Sequence, residues 1–445
     1  MSQNNIIIKY KDTVLLQDSE IESVASSLSD YLGTLKEVAG KTIYDVPESF
    51  LSLPDDKELF QKSEEVAGIF ANLSLKYIIV AGIGGSNLGA AAIYDALYPK
   101  FDGFLSKHPK LLFSDTNNPR EMELLKKIIE ENVHEPKEIV LNIITKSGTT
   151  VETIANAMVL FETLSLKFGE QDAIARTVVT TDEESSLWKI ALEKGIQVLP
   201  VPKKIGGRYS VFSPVGIFPL SLAGINVAEF LSGAGSVRDS FLSADLNENP
   251  ALLSSSVDFL VHQKGLSIYN SFFFNSELES VGKWGRQLFA ESLGKKNDKE
   301  GKTVYSGMTP VVSVGTTDLH SMVQLYLGGP KDKFTNFIHT DGTEIGRVTV
   351  PVHSIFDPLV SVISGKDFQK LMSSNLGGTM EAYKENSLPF VETILPGMNE
   401  RSLGQYCLLK MIETVLLGKL WNINPFDQPE VESYKKIARE LLKKQ

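Results

Sequence analysis

Five hydroxyl residues, a glycine and a lysine crowd one stretch of this 445-residue chain, Thr145-Lys146-Ser147-Gly148-Thr149-Thr150-Val151-Glu152-Thr153. It follows an apolar run and opens a helical pattern at Ile154–Leu164. Thr149 and Glu152 have the spacing of a capping box, which predicts a helix N-terminus here. Free N–H groups and the positive end of the helix dipole make such a terminus attractive to anions. Hydroxyls donate to phosphate oxygens, and Gly148 lets the backbone come close to a ligand. An ordinary cap needs one hydroxyl, so this density points to a phosphate cradle.

A glycine turn, Gly82-Ile83-Gly84-Gly85-Ser86-Asn87-Leu88-Gly89, competes for the same role. A dinucleotide fingerprint asks for Gly or Ala where Asn87 stands, and a P-loop asks for Lys where Ala90 stands. Asp115, closing the next apolar run, could still imitate a ribose-binding acid. The turn makes better sense as a second wall for one phosphate, with Gly85 and Ser86 facing it.

Proton-transfer chemistry needs a carboxylate or imidazole beside a fixed positive charge. Gly206-Gly207-Arg208-Tyr209-Ser210 offers a guanidinium flanked by glycines that give access. Gln287 and Glu291 lie four apart in Lys283–Ser292 and share a helix face. Taken alone, Glu291 reads as a solvated helix residue and Arg208 as a structural ion pair. Of six histidines none forms an HxxxH or HExxH pair, which argues against a dedicated zinc site. His320 follows Gly315-Thr316-Thr317-Asp318-Leu319 at a strand-to-helix corner. Cys407, the single cysteine, sits in an apolar run and reads as a buried, inert thiol.

The elements that must carry these groups alternate between strand and helix. Tyr77–Ala81, Leu111–Phe113, Ile139–Ile144, Thr177–Val179 and Val198–Val201 are short apolar runs closed by small polar residues. That pattern predicts a parallel sheet covered on both faces, with ligands at the strands' carboxyl ends. A second cycle places strands at Gly265–Phe274, Pro310–Val314, Phe334–His339 and Phe390–Ile394, with a helix at Ser280–Leu293. A helical pattern at Ile21–Val38 precedes the first cycle. Two amphipathic helices, Ser402–Leu417 and Glu430–Lys444, follow the second. The expected division is residues 1–70, 71–235, 236–400 and 401–445. A net charge of −11 speaks against a general nucleic-acid binder, and the N-terminus lacks a signal-peptide pattern. The longest apolar stretch, around Ser210–Val227, is interrupted by Pro214 and Pro219, so a membrane span is not expected. A cytoplasmic protein is.

In order, Gly84-Gly85-Ser86, Lys146-Ser147-Gly148-Thr149-Thr150, Gly206–Ser210, Gln287…Glu291, His320 and Phe426-Asp427-Gln428…Lys435 resemble the glucose-6-phosphate isomerase family. The match runs from about residue 70 to the C-terminus and includes both signature stretches, Ile205–Gly216 and Gly418–Lys435. The resemblance implies an α/β fold of two doubly wound parallel-sheet sugar-isomerase (SIS) domains with helical N- and C-terminal arms. It implies aldose–ketose isomerisation in glycolysis and gluconeogenesis, with no cofactor and no metal. Gly85, Ser86, Thr145, Lys146, Ser147, Thr150 and Gly207 would then hold the sugar phosphate, and Gln287 and Gln428 its hydroxyls. Glu291 would move the proton, Arg208 would face the enediolate, and His320 and Lys435 would open the ring. In this family the histidine enters from the neighbouring subunit, so a homodimer is implied. Thr145 replaces the commoner serine. Glu430 replaces the usual glycine, which questions the placement of Gln428 and Lys435.

Two other readings compete with an isomerase. A dinucleotide-dependent oxidoreductase fails on Asn87 and leaves the Thr-rich turn without a purpose. A non-catalytic sugar-phosphate sensor explains the cradle but not Glu291, Arg208, His320 and Lys435 together.

Overall fold

The computed structural model describes residues 5–105, 107–341 and 348–444. Its strands, in chain order, are β1 (Ile7–Lys9), β2 (Tyr77–Ala81), β3 (Lys110–Ser114), β4 (Ile139–Ile144), β5 (Thr177–Thr181) and β6 (Gln197–Pro200). There follow β7 (Ile268–Phe273), β8 (Lys295–Asn297), β9 (Thr303–Ser306), β10 (Thr309–Val314), β11 (Lys333–Thr340) and β12 (Phe390–Leu395). One sheet has the order β3-β2-β4-β5-β6 and is parallel throughout. Every residue of β4 and β5 is buried, as strands covered on both faces require. A second five-stranded sheet has the order β1-β12-β11-β7-β10, and β8 and β9 form a two-stranded antiparallel sheet.

Both five-stranded sheets are wound alike. In each, the first strand of the parallel set lies between the second and the third, so the order reverses between β2 and β4 and between β7 and β11. Chain connections leave such a reversal point in opposite directions and open a crevice at the strands' carboxyl ends. The glycine turn leaves β2 and the Thr-rich turn leaves β4, so they flank the first sheet's crevice.

The helices after the leading strands, Leu88–Leu97 and Glu279–Leu293, pack on each other and join the two halves. Ser280 Oγ donates to Asp95 Oδ2 at 2.5 Å across that seam. Glu279–Leu293 buries Val281, Trp284, Leu288 and Leu293. Each such side chain contributes about 1.5–3 kcal/mol by leaving water. That apolar stripe fixes the helix's rotation and leaves Gln287 and Glu291 on a half-buried margin.

Three expectations are revised. Residues 7–9, placed in a helical arm, form an edge strand antiparallel to β12, so the second sheet is mixed. The single helical pattern at Ile21–Val38 is two helices, Asp18–Ser26 and Ser29–Ala39. The segment Ser402–Leu417 belongs to a helix, Glu400–Leu420, that is not amphipathic: residues 402–418 are all buried, against helices Val227–Phe241 and Pro250–Gln263. Among its polar positions, Lys410 and Glu413 bond each other inside the core. Among the described residues no helix is long and apolar enough to cross a membrane.

Candidate active site

The helix after the Thr-rich turn spans Val151–Phe168, and its cap position is Thr150, whose side chain makes no capping bond. The capping box expected from Thr149 and Glu152 does not form, because Thr149 lies one residue before the cap. The hydroxyls bond one another instead: Thr145 Oγ1 to Thr150 Oγ1 at 2.8 Å, and Thr149 Oγ1 to Ser147 Oγ at 3.3 Å. This leaves the first helical N–H groups without side-chain acceptors, which suits an incoming anion better than a capped end does. The buried Thr145 carbonyl accepts from Thr181 Oγ1 at 2.6 Å, tying the turn to β5. Gly148 has φ +69°, and a Cβ there would come within 3.0 Å of Ser185 and Leu187. Burial lowers the Lys146 pKa, Asp182 offsets part of that, and Lys204 adds to it.

Beside it, Gly84–Ser86 forms a short 3-10 turn. A Cβ on Gly85 would lie 2.2 Å from Gly207 C and 2.5 Å from Arg208 N, so this turn and the arginine loop touch through bare backbone. On its other side Gly84 approaches Gln287 Nε2, 2.8 Å from where a Cβ would stand. The glycine turn thus bridges the phosphate crevice and the helix that carries Glu291. Asn87 is buried and donates to Asp115 Oδ2 at 2.8 Å, so the acid that could imitate a ribose partner is engaged inside the fold.

Arg208 is 5% exposed. Its Nε donates to Ser292 Oγ at 2.7 Å, Nη1 to Glu291 Oε2 at 3.3 Å, and Nη2 to the carbonyls of Pro425 (2.7 Å) and Asp427 (3.1 Å). Every nitrogen of the guanidinium fork is engaged, which fixes its plane. The other Glu291 oxygen accepts from Gln287 Nε2 at 3.1 Å. The carboxylate is one-third exposed, open to a ligand and anchored from two sides. Gln287 Oε1 is buried without a hydrogen-bond partner among the described residues. A buried acceptor left so is costly unless a ligand hydroxyl completes it.

The turn that Arg208 grips leads into the helix Val431–Leu442. Lys435 and Arg439 on it line a cavity of about 360 Å³ together with Ser147, Thr149, Thr150 and Asn117. Lys435 also pairs with Glu432 at 3.2 Å. Glu430 has φ −67° and ψ −27°, ordinary right-handed values, so replacing the family's glycine introduces no strain. The Gln428 carbonyl accepts from Val431 N at 3.2 Å, and the residue is half-buried at the entry to this helix.

Of the expected site residues, Gly85, Gly207, Arg208, Gln287 and Glu291 form one connected group. Thr145, Lys146, Ser147, Thr150 and Lys435 form another, and Ser86 lies in the turn between them. His320 shares no hydrogen bond or ion pair with either group among the described residues. It is exposed after the short turn Thr317–Leu319, and its imidazole has no hydrogen-bond partner among the described residues. The sequence reading missed Ser292, Tyr209 and Lys295. Tyr209 Oη lies 3.0 Å from Ser292 Oγ, and Lys295 Nζ donates to the Glu291 carbonyl at 2.6 Å. A legible signal existed for Lys295: a lysine just beyond a helix end commonly bonds the last carbonyls.

The family model for phosphoglucose isomerase matches residues 57–445. The chain belongs to the phosphoglucose isomerase family. A glucose-6-phosphate isomerase from Carboxydothermus hydrogenoformans is 31% identical over 99% of this chain and 93% of its own length. One from Rubrobacter xylanophilus is 33% identical over 95% of this chain and 94% of its own. A hypothetical protein of Thermus thermophilus superposes with a TM-score of 0.83 at 28% identity, covering 98% of this chain and 99% of the other. A glucose-6-phosphate isomerase from Chlamydia trachomatis has the same fold, with a TM-score of 0.80 at 21% identity over 99% of this chain and 89% of its own. For this family member, the resemblance drawn from scattered motifs extends over nearly the whole chain.

Proposed function

We propose that this chain interconverts glucose-6-phosphate and fructose-6-phosphate, a step of glycolysis and gluconeogenesis, with Glu291 as the base. The observation that carries this reading is the Glu291 carboxylate held between Arg208 and Gln287, and linked by the Gly84–Ser86 turn to an uncapped, hydroxyl-rich helix terminus. The phosphate binds at Thr145, Ser147 and Thr150, with Ser86 and the Lys146 backbone beside it, and Lys435 supplies positive charge across the cavity. Binding there orients carbons that lie farther along the sugar.

In the open chain, the Glu291 carboxylate takes the proton from the carbon next to the carbonyl. The C–H electron pair becomes the enediolate double bond, and negative charge collects on oxygen beside Arg208. A fixed, largely buried guanidinium stabilises that charge without reorganising. The same carboxyl returns the proton to the neighbouring carbon while the hydroxyl proton passes from one enediolate oxygen to the other, so the reaction is redox-neutral overall. Gln287 and Gln428 hold hydroxyls, and Lys435 and His320 exchange protons with the ring oxygen and its hydroxyl.

His320 acts in the site of a second copy of the chain. Two observations support this homodimer: the exposed, unengaged imidazole, and an apolar surface in which Ile355 is 86%, Phe356 66%, Leu359 76% and Val362 74% exposed. Apolar surface concentrated in this way marks an interaction site. We place the protein in the cytoplasm on the ground that its lone cysteine, Cys407, is buried and can form no disulfide within the chain. The test is a coupled assay of fructose-6-phosphate conversion to glucose-6-phosphate without added metal. No product from fructose-6-phosphate would sink the reading and favour a sensor. Mixing Glu291→Gln and His320→Ala chains tests the shared site: activity regained on exchange of subunits supports it, and a mixture as inactive as its parts contradicts it.

A further inference from the structure

Lys295 opens β8, two residues beyond the helix that carries Glu291, and is 5% exposed. Its ammonium donates to the Glu291 carbonyl at 2.6 Å and the Asp427 carbonyl at 2.9 Å, and lies 3.7 Å from Asp427 Oδ1. A buried cation is costly unless it is bonded and paired, and here two carbonyls accept from it while the Asp427 carboxylate sets an opposite charge beside it. The Glu291 carbonyl is among the last of its helix, where a positive charge also answers the dipole.

Asp427 O is shared: Arg208 Nη2 reaches it at 3.1 Å. Two buried cations therefore grip the Pro425–Asp427 turn, and each also holds part of Glu291, Arg208 the carboxylate and Lys295 the main chain. Beyond the turn, the helix Val431–Leu442 contains no buried residue. Tyr434, Ile437 and Leu441 are each more than half exposed, so apolar burial within this chain does little to position the helix. Yet this helix brings Lys435 to the Thr-rich turn.

We propose that Lys295 is a positioning residue that locks the Pro425–Asp427 turn to the end of the Glu291 helix and so sets where Lys435 stands relative to the base. The inference rests on the isomerase reading for the roles of Glu291 and Lys435. Lys295 is held away from the substrate, because it is 5% exposed and its hydrogen bonds run to main-chain carbonyls.

Amide hydrogen exchange and turnover, measured on the full-length protein, test it together. Lys295→Met should lower protection of the amides in 431–442 at least tenfold, with the core helix 400–420 unchanged. It should lower kcat about tenfold with KM moving less than threefold. Lys295→Arg should restore most of both. Lys295→Met combined with Lys435→Met should be no slower than Lys435→Met alone, because the first change acts through the second residue. If Lys295→Met does not fold, Lys295→Gln reports on the same amides. Unchanged protection in 431–442, or losses that multiply in the double variant, would overturn the proposal. The exchange measurement reads the lock without turnover, so a wild type that failed to isomerise would refute the function and leave the lock decided on its own.

Discussion

The molecule buries lysine twice, and the two sites use it differently. In the core, Lys410 bonds Glu413, whose other oxygen accepts from Ser254 Oγ at 2.7 Å, and Lys410 also donates to Tyr269 Oη at 3.3 Å. Burial works against the Lys410 charge, but Glu413 and its neighbours outweigh it and raise the pKa. Nearby Asp258 is fully buried, and its Oδ2 lacks a hydrogen-bond partner among the described residues. Burial first, then the Glu413 charge, pushes its pKa well up. The core cluster therefore combines one buried ion pair with an acid whose surroundings favour its protonated form. At the active site, Arg208 faces the partly exposed Glu291 carboxylate, while Lys295 holds that residue's main-chain carbonyl and pairs with Asp427, which is half in water. Burial and the Arg208 charge both lower the Lys295 pKa there. One region cancels its charge internally; the other keeps positive charge that an anionic intermediate can use.

Removing the carboxylate breaks the site side of that comparison most severely. Glu291→Gln keeps the length and the bond from Gln287, so substrate binding should stay within about threefold while kcat falls about 10³-fold, in the range for loss of a general base. Steady-state kinetics in both directions measure it. Turnover close to wild type would remove Glu291 from its role.

Arg208→Lys comes next, because it should hit activity and stability together. Lysine cannot reproduce the fork that reaches Ser292, Glu291, Pro425 and Asp427. We expect kcat to fall about 10²-fold, like the loss of an oxyanion donor. Urea unfolding should show a loss of roughly 3 kcal/mol, as when a buried ionic network loses its geometry. A variant crippled in turnover but fully stable would mean that Arg208 does not anchor the 425–427 turn.

Lys410→Met sharpens the comparison from the other side. It strands Glu413 in the core and should cost about 3–5 kcal/mol. The kcat per folded molecule should remain within about twofold, since Lys410 bonds only groups of the core cluster. A large fall in kcat with little change in stability would show that the two regions are coupled.

These regions were also unequally legible in the sequence. The site announced itself because its groups sit on turns: small and polar residues after an apolar strand have few structural explanations, and the parallel strand pattern said where those turns converge. Glu291 and Arg208 needed the family resemblance, since a single charged residue is ambiguous until its partners are known. Lys295 went unseen although a lysine at a helix end is a recognisable cap. The core cluster was hidden for the opposite reason. In Glu400–Leu420 the polar side chains fall all round the helix, so the amphipathic expectation followed from their number and not from their spacing. Only the packing of Val227–Phe241 and Pro250–Gln263 around it makes that surface interior. The edge strand β1 was equally invisible, because three residues carry too little periodicity to separate strand from loop.

The smallest effect on turnover belongs to Asp258→Asn, and its informative reading is pH. An unfolded aspartate titrates near pH 3.9, while the folded Asp258 titrates well above that. Between the two values the folded protein holds a proton that the unfolded chain has released. Wild-type stability therefore declines as pH rises through this window, by about 1.4 kcal/mol per pH unit from this group alone. Asparagine cannot ionise, so the variant lacks that slope. Its stability relative to wild type should be flat below pH 4 and increase as the pH rises above it, with kcat unchanged. Urea unfolding at pH 3.5, 5 and 7 reads the difference directly. If the variant instead loses stability as the pH rises, Asp258 is ionised in the folded core, and the core cluster carries uncancelled charge just as the active site does.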